Sequence, residues 1–236
     1  VILLTGIGGA VLLALFLLRQ RRPHPLMPLS LFRVRNFAWG NLSTLFVYAA
    51  LSLNGFVIGV YLQQGAGLKA TEAGLASLPI TILMILLSSR AGRLAGRLGP
   101  RLFMTAGPLI MAAGTLLLLL VAERFNYWWQ VLPAMIVLGV GLSLTVAPLT
   151  SAILGSIDES RSGIASAVNN AVSRVAGLLV VAMLSTIVGG TLNLAGFHTA
   201  TMVTAALFAI GGVVSWIGIR RPAADPTAPE PEPAAN

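Results

Sequence analysis

The chain has no cysteine, so disulfides and thiolate metal sites are excluded. Charge is also scarce, at 9% of residues against 56% hydrophobic, and only 7 of the 236 residues are acidic. What charge there is falls in short clusters between long apolar runs. Those runs hold no Asp, Glu or Lys, the groups that membrane-embedded proteases, proton relays and ion sites ordinarily need at depth. The two histidines, His24 and His198, are expected in loops on opposite sides of the membrane, where they cannot share a metal. Without convergent His, Asp, Glu or Cys, neither an enzyme nor a metal or cofactor site is expected.

About twenty apolar residues in a helix cross a hydrocarbon core about 30 Å thick, so the uncharged intervals count crossings. There are seven such intervals. The first helix is Val1 to Leu18, ended by Arg19, Arg21 and Arg22; the second is expected over 37–62 and the third over 73–89. The fourth covers 102–122, the fifth 128–154, the sixth 163–189 and the seventh 199–219. Tyr127, Trp128 and Trp129 at the entry to the fifth suit a membrane interface. The expected fold is an all-α membrane protein with a basic loop over 19–36. The tail over 220–236 holds proline and acids but no large apolar residue, so it is expected to be disordered.

Lys and Arg concentrate on cytoplasmic loops. Loops after the first, third, fifth and seventh helices carry Arg19, Arg21, Arg22, Arg33, Arg35, Arg90, Arg93, Arg97, Arg101, Arg161, Arg220 and Arg221, whereas the opposite loops carry Lys69 and Arg124. Twelve against two places the carboxyl terminus in the cytoplasm and explains the net charge of +8 as topology. A nucleic-acid partner is thereby left without a motive. Val1 begins inside an apolar run with no positive segment before it, so the first helix is read as a spanning segment with its start missing, not as a signal peptide.

On the second helix Asn41, Thr44, Tyr48, Ser52 and Gly55 recur at three- and four-residue steps, a polar or small stripe along an apolar rod. Gly141, Thr145, Pro148 and Thr150 or Ser151 do the same on the fifth, and Ser166, Asn170, Ser173 and Gly177 on the sixth, with Asn169 beside them. Such stripes either line a cavity or let helices pack closely, and the sequence leaves both open. Arg174 is the one charge deep in a span. At a cost of about 3 kcal/mol at mid-membrane, it either snorkels or faces a wet cavity.

Residues Ala91 to Arg101 resemble the loop motif G-x-L-a-D-R-x-G-R-R of the major facilitator superfamily, with Gly92, Leu94, Ala95, Arg97, Gly99 and Arg101 in matching places. Gly96 stands where that family prefers aspartate. The stretch Pro28 to Phe37, then Tyr61 to Gln64, Ala73 to Leu75, Leu78 and Pro79 is similar to the fourteen-helix drug:proton antiporters of that superfamily. Ala147 to Thr150 and Ser162 to Gly177 continue the likeness in order.

That resemblance implies that Val1 to Leu18 is a linker helix and that the other six form a carboxyl-terminal bundle of two inverted three-helix repeats. It implies a cavity lined by the second and fifth helices, with Asn41, Thr44, Tyr48, Ser52, Thr145, Pro148, Asn169, Asn170 and Arg174 as candidate lining residues. The implied function is half of a multidrug efflux transporter in the plasma (inner) membrane of a bacterium, working by alternating access with an amphipathic small-molecule substrate. The implied partner is an amino-terminal half of the same transporter, which must also supply any proton-coupling carboxylate. A sugar or metabolite permease is the alternative, though the stripes are light in hydrogen-bonding groups. A seven-helix receptor fits less well, and a retinal protein not at all, since the only lysine is Lys69, in a loop.

Overall fold

The computed structural model describes residues 29–189 and 192–220, together with residues 8, 9, 11, 14, 15, 18 and 19. Most of the first expected helix and of the basic loop after it, His24, Gly190 and the tail beyond Arg220 lie outside the described residues. Among those described there is no strand, and six helical spans are long and apolar enough to cross a membrane. The protein is a multi-pass, all-α membrane protein. Its long helices are α1 (Arg35–Gln64), α2 (Leu78–Leu98), α3 (Pro100–Leu116), α4 (Leu132–Leu154), α5 (Ser162–Ala182) and α6 (Leu194–Gly218).

Local chemistry sets where these helices start. Proline occupies the first turn of α2, α3 and α4, where a missing amide hydrogen costs no helical bond and a fixed φ favours the turn. α6 is started by Asn193, whose side-chain oxygen accepts from the Gly196 amide at 2.8 Å. Gly99 alone separates α2 from α3, with φ at 92°, a backbone conformation that a residue bearing Cβ rarely adopts.

Several boundaries differ from those read off the charge pattern. The third expected helix is preceded by a short helix, Ala70–Leu75, and α2 then runs through Arg90, Arg93 and Arg97 to Leu98. Arginine is a good helix former, and the chain meets no stop before Gly99 and Pro100. The fourth ends as a 3₁₀ segment, Leu117–Leu120, and the fifth is entered through a π-turn, Tyr127–Val131. The sixth breaks at Met183 and resumes as Leu184–Val188. The seventh starts five residues early, at Leu194, which puts His198 on the helix and not in a loop. The His198 Nε2 lies 2.9 Å from the Val121 carbonyl oxygen.

The packing has a two-fold pattern. The main contacts are α1 with α6 and α4 with α3, α1 with α5 and α4 with α2, and α3 with α6. Exchanging α1 with α4, α2 with α5 and α3 with α6 leaves that list unchanged, as two related three-helix units would require. The second helix of each triplet leans on the first helix of the other. These two helices are also the least enclosed, with 11% of the α2 span and 28% of the α5 span buried, against 44% to 50% for the other four.

Small residues carry the crossings, because lipid-embedded helices associate by close packing more than by burying apolar surface. A Cβ on Gly141 would stand 2.7 Å from the Gly107 carbonyl oxygen and 2.8 Å from the Met111 amide. At the α1–α6 crossing the Ser43 hydroxyl lies 3.2 Å from the Gly211 carbonyl oxygen and accepts from the Ser215 hydroxyl at 2.8 Å. The far end of α6 is tied down by arginines from two other helices. Arg35 donates from Nε to the Gly218 carbonyl at 2.9 Å and from Nη2 to the Ile217 carbonyl at 2.8 Å. Arg101 donates from Nε to the Trp216 carbonyl at 2.9 Å, and its guanidinium lies 4.3 Å from the Trp216 ring centroid. Carbonyls of a last helical turn have no intrahelical donor, and cations suit the negative end of the helix dipole.

Candidate functional site

The polar stripe of α1 runs along its contact with α5. Residues three and four apart in a helix share a face, which aligns Asn41, Thr44, Tyr48 and Ser52. The Thr44 hydroxyl lies 2.7 Å from the Asn169 side-chain oxygen and 3.0 Å from the Gly40 carbonyl, so its single hydrogen serves these two acceptors in alternation. Further along, Ser52 fills the space that a side chain on Gly177 would take. Tyr48, half-buried, touches both apolar clusters of the bundle.

Asn41 stands out electrostatically. It is 3% exposed; its amide nitrogen donates to the Phe37 carbonyl at 2.8 Å, but its side-chain oxygen is buried without a partner among the described residues. An unmet buried acceptor costs about 1–3 kcal/mol, and more is at stake where no water competes. The bundle therefore holds, within one helical turn of the Thr44–Asn169 bond, an acceptor that lacks a donor.

Asn170 and Arg174 are exposed on α5, outside its buried face. Arg174 Nε is 3.4 Å from the Asn170 side-chain oxygen one turn earlier, and Ser173 donates to the Asn170 carbonyl at 2.8 Å. Beyond them the exposed face of α5 turns apolar, with Val175, Leu178 and Leu179. α1 also changes along its length. At one end a Cβ on Gly40 would stand 2.6 Å from Ile153, whereas at the other end Gly55 and Gly59 have nothing within 4 Å. Gly40 is thus closed off by α4, whereas α1 has room for a side chain at Gly55 and Gly59.

The structure does not gather every candidate into this seam. Thr145 is buried at the α3–α4 crossing, donates to the Gly141 carbonyl at 2.7 Å and abuts Gly107. Pro148 is buried inside α4, where it leaves the Leu144 carbonyl without its helical donor. In the loop motif, Gly92 sits against the Ala147 methyl, Leu94 is exposed, Arg97 and Arg101 flank the Gly99 turn, and a side chain at Gly96 would meet nothing within 4 Å. Packing within the bundle thus has room for the aspartate that is missing there. Sequence reading misses Arg35, Ser43 and Ser215 as bundle contacts, because their partners lie more than a hundred residues away and leave no local signal.

The sequence profile of the Major Facilitator Superfamily matches residues 1–181. The methylenomycin A resistance protein of Streptomyces coelicolor is 27% identical over 211 residues, covering 89% of this chain and 44% of that protein. The multidrug resistance protein Stp of Mycobacterium tuberculosis is 28% identical over 186 residues, with 78% of this chain and 34% of that protein covered. The multidrug efflux pump LfrA of Mycolicibacterium smegmatis is 32% identical over 184 residues, 76% of this chain and 36% of that protein. The chain spans between about a third and a half of the length of these curated relatives.

Proposed function

The chain belongs to the major facilitator superfamily, and from that premise we propose that it forms the carboxyl-terminal half of a secondary transporter that exports amphipathic small molecules. Resistance and efflux proteins among the relatives support the substrate class. Their greater length supports an amino-terminal half as partner, facing the side of the bundle on which α1, α4, α2 and α5 lie. Coupling to protons is assigned to that other half, since no Asp, Glu or Lys lies at depth in the six spans. The charge asymmetry of the loops supports a cytoplasmic carboxyl terminus in a bacterial inner membrane.

One observation carries the assignment of the site: the α1–α5 seam sets the Thr44–Asn169 bond within one helical turn of a buried acceptor, the Asn41 side-chain oxygen, that nothing among the described residues satisfies. Asn41, Thr44, Tyr48, Ser52 and Asn169 form the wall, and Asn170 and Arg174 form its accessible edge. α5 leans mainly on α1, so alternating access requires it to slide or tilt along one seam. That motion exchanges the Thr44–Asn169 bond for contacts with substrate or water.

Arg174 is the residue to remove. Arg174→Ala in the full-length transporter is expected to slow energised loss of a lipophilic fluorescent dye from loaded cells by about tenfold, with membrane abundance unchanged. Undiminished efflux at equal abundance would exclude the seam edge from the transport path.

A further inference from the structure

At the end of the bundle opposite the arginine cluster lies a cavity of about 560 Å³, between the end of α1, the α3–α4 loop and the start of α6. Its walls include Tyr61, Gln64, Glu123, Phe125 and Asn193. That volume falls within the range of small-molecule sites. It is separate from the seam: Tyr61 lies nine residues beyond Ser52 on α1, about 13 Å along the axis.

The chemistry of the walls is specific. Tyr61 is held against Phe197, with centroids 4.1 Å apart and planes 26° apart, so its ring is a fixed wall. Glu123 has no hydrogen-bonding or ionic partner among the described residues, whereas Glu72, the other carboxylate at this end, is used by the Lys69 amide at 2.9 Å. The Gln64 side chain is likewise without a partner among the described residues. Asn193 accepts the Gly196 amide with its oxygen, which leaves its own amide hydrogens to the cavity. Arg124, next to Glu123 in sequence, does not line the space.

An available carboxylate beside two aromatic rings, with amides at the rim, suits a bulky organic cation whose charge is spread over apolar groups. We infer that this cavity is an outer-face binding site for hydrophobic organic cations, formed by this half alone and distinct from the α1–α5 seam. The outer-face assignment rests on the proposed topology; the binding itself does not. A cation leaving the transporter is held here before it disperses, and one added outside occupies the same place.

The test uses tetraphenylphosphonium and cysteine labelling. In intact, de-energised cells expressing the full protein, a membrane-impermeant maleimide is reacted with Gln64→Cys, on the cavity wall, and with Trp129→Cys, exposed at the same end but outside the cavity. Excess tetraphenylphosphonium is expected to slow labelling at position 64 several-fold and to leave position 129 unchanged. Adding Glu123→Gln should weaken that protection about three- to tenfold at an unaltered rate of unprotected labelling, and Glu123→Asp should restore part of it. No protection, equal protection at both positions, or protection indifferent to Glu123→Gln overturns the site. Labelling only after permeabilisation, with the protection pattern intact, overturns the topology and leaves the site standing. Export is not needed for any of these readings, so failure of the transport assignment is seen separately.

Discussion

The two triplets, α1–α3 and α4–α6, repeat each other in geometry but not in chemistry. Each second helix crosses to the first helix of the other triplet. Where α5 meets α1, the contact holds a hydroxyl–amide bond, a buried acceptor without a donor, and a serine under a glycine. Where α2 meets α4, Gly139 lies against Ile80 and Leu83, and Gly92 against Ala147, an apolar contact at both glycines. The scaffold is thus duplicated, while the hydroxyl–amide bond between helices is found at the α1–α5 contact. A repeated frame gives two equivalent crossings, and the residues at each set its chemistry.

The largest expected effect breaks the geometric half of that comparison. Gly141→Val drives a side chain into the Gly107 carbonyl and the Met111 amide and should cost about 3 kcal/mol, lowering the thermal midpoint in detergent or the yield of folded protein. Gly211→Val, at the corresponding α1–α6 crossing, should cost about half as much, because its nearest obstacle is the Val47 side chain and not backbone. Equal losses would mean that the two crossings are equally unyielding.

A smaller effect separates the two outer helices. Gly177→Ala collides with Ser52 and is expected to destabilise by about 1 kcal/mol. Gly92→Ala would place its methyl 3.5 Å from Ala147, an ordinary contact, and should be neutral or stabilising by up to about 1 kcal/mol through better helix propensity. The reverse order in thermal midpoints would show that α5, and not α2, has room to adjust. The smallest effect is the polar bond itself. A double-mutant cycle of Thr44→Val and Asn169→Ala should give a coupling of about 0.6 kcal/mol, and zero coupling would demote the seam to close packing.

The six described spans are legible because arginine clusters divide the apolar runs, and the burial cost of charge leaves few other ways to thread such a chain. Helix ends are less legible. Charge taken as the end of a span turns the basic string of α2 into loop, while the real stop is the Gly99–Pro100 pair eight residues past Ala91. Asn193 is a ready helix start, but hydropathy alone points five residues further on than α6 begins. The periodic stripe on α1 is real, but periodicity names a face and not its neighbour. Thr44 and Thr145 look alike in sequence, yet one meets Asn169 on α5 and the other abuts Gly107 on α3. The cavity beside Tyr61 is beyond sequence reading, since its walls come from three separate segments.

The arginine bonds onto the last turn of α6 have a consequence for how the bundle is made. Arg35 and Arg101 lie 183 and 115 residues before their acceptors, so while the chain is being synthesised both arginines must wait, solvated by headgroups and water, until α6 has left the ribosome. Of the six described spans, the last to be inserted is the one that locks α1 and α3. A nascent chain that stops short of residue 216 can place the five earlier described spans in the membrane and still leave the bundle unlatched at its arginine-rich end, recognisable to quality-control proteases as unfinished.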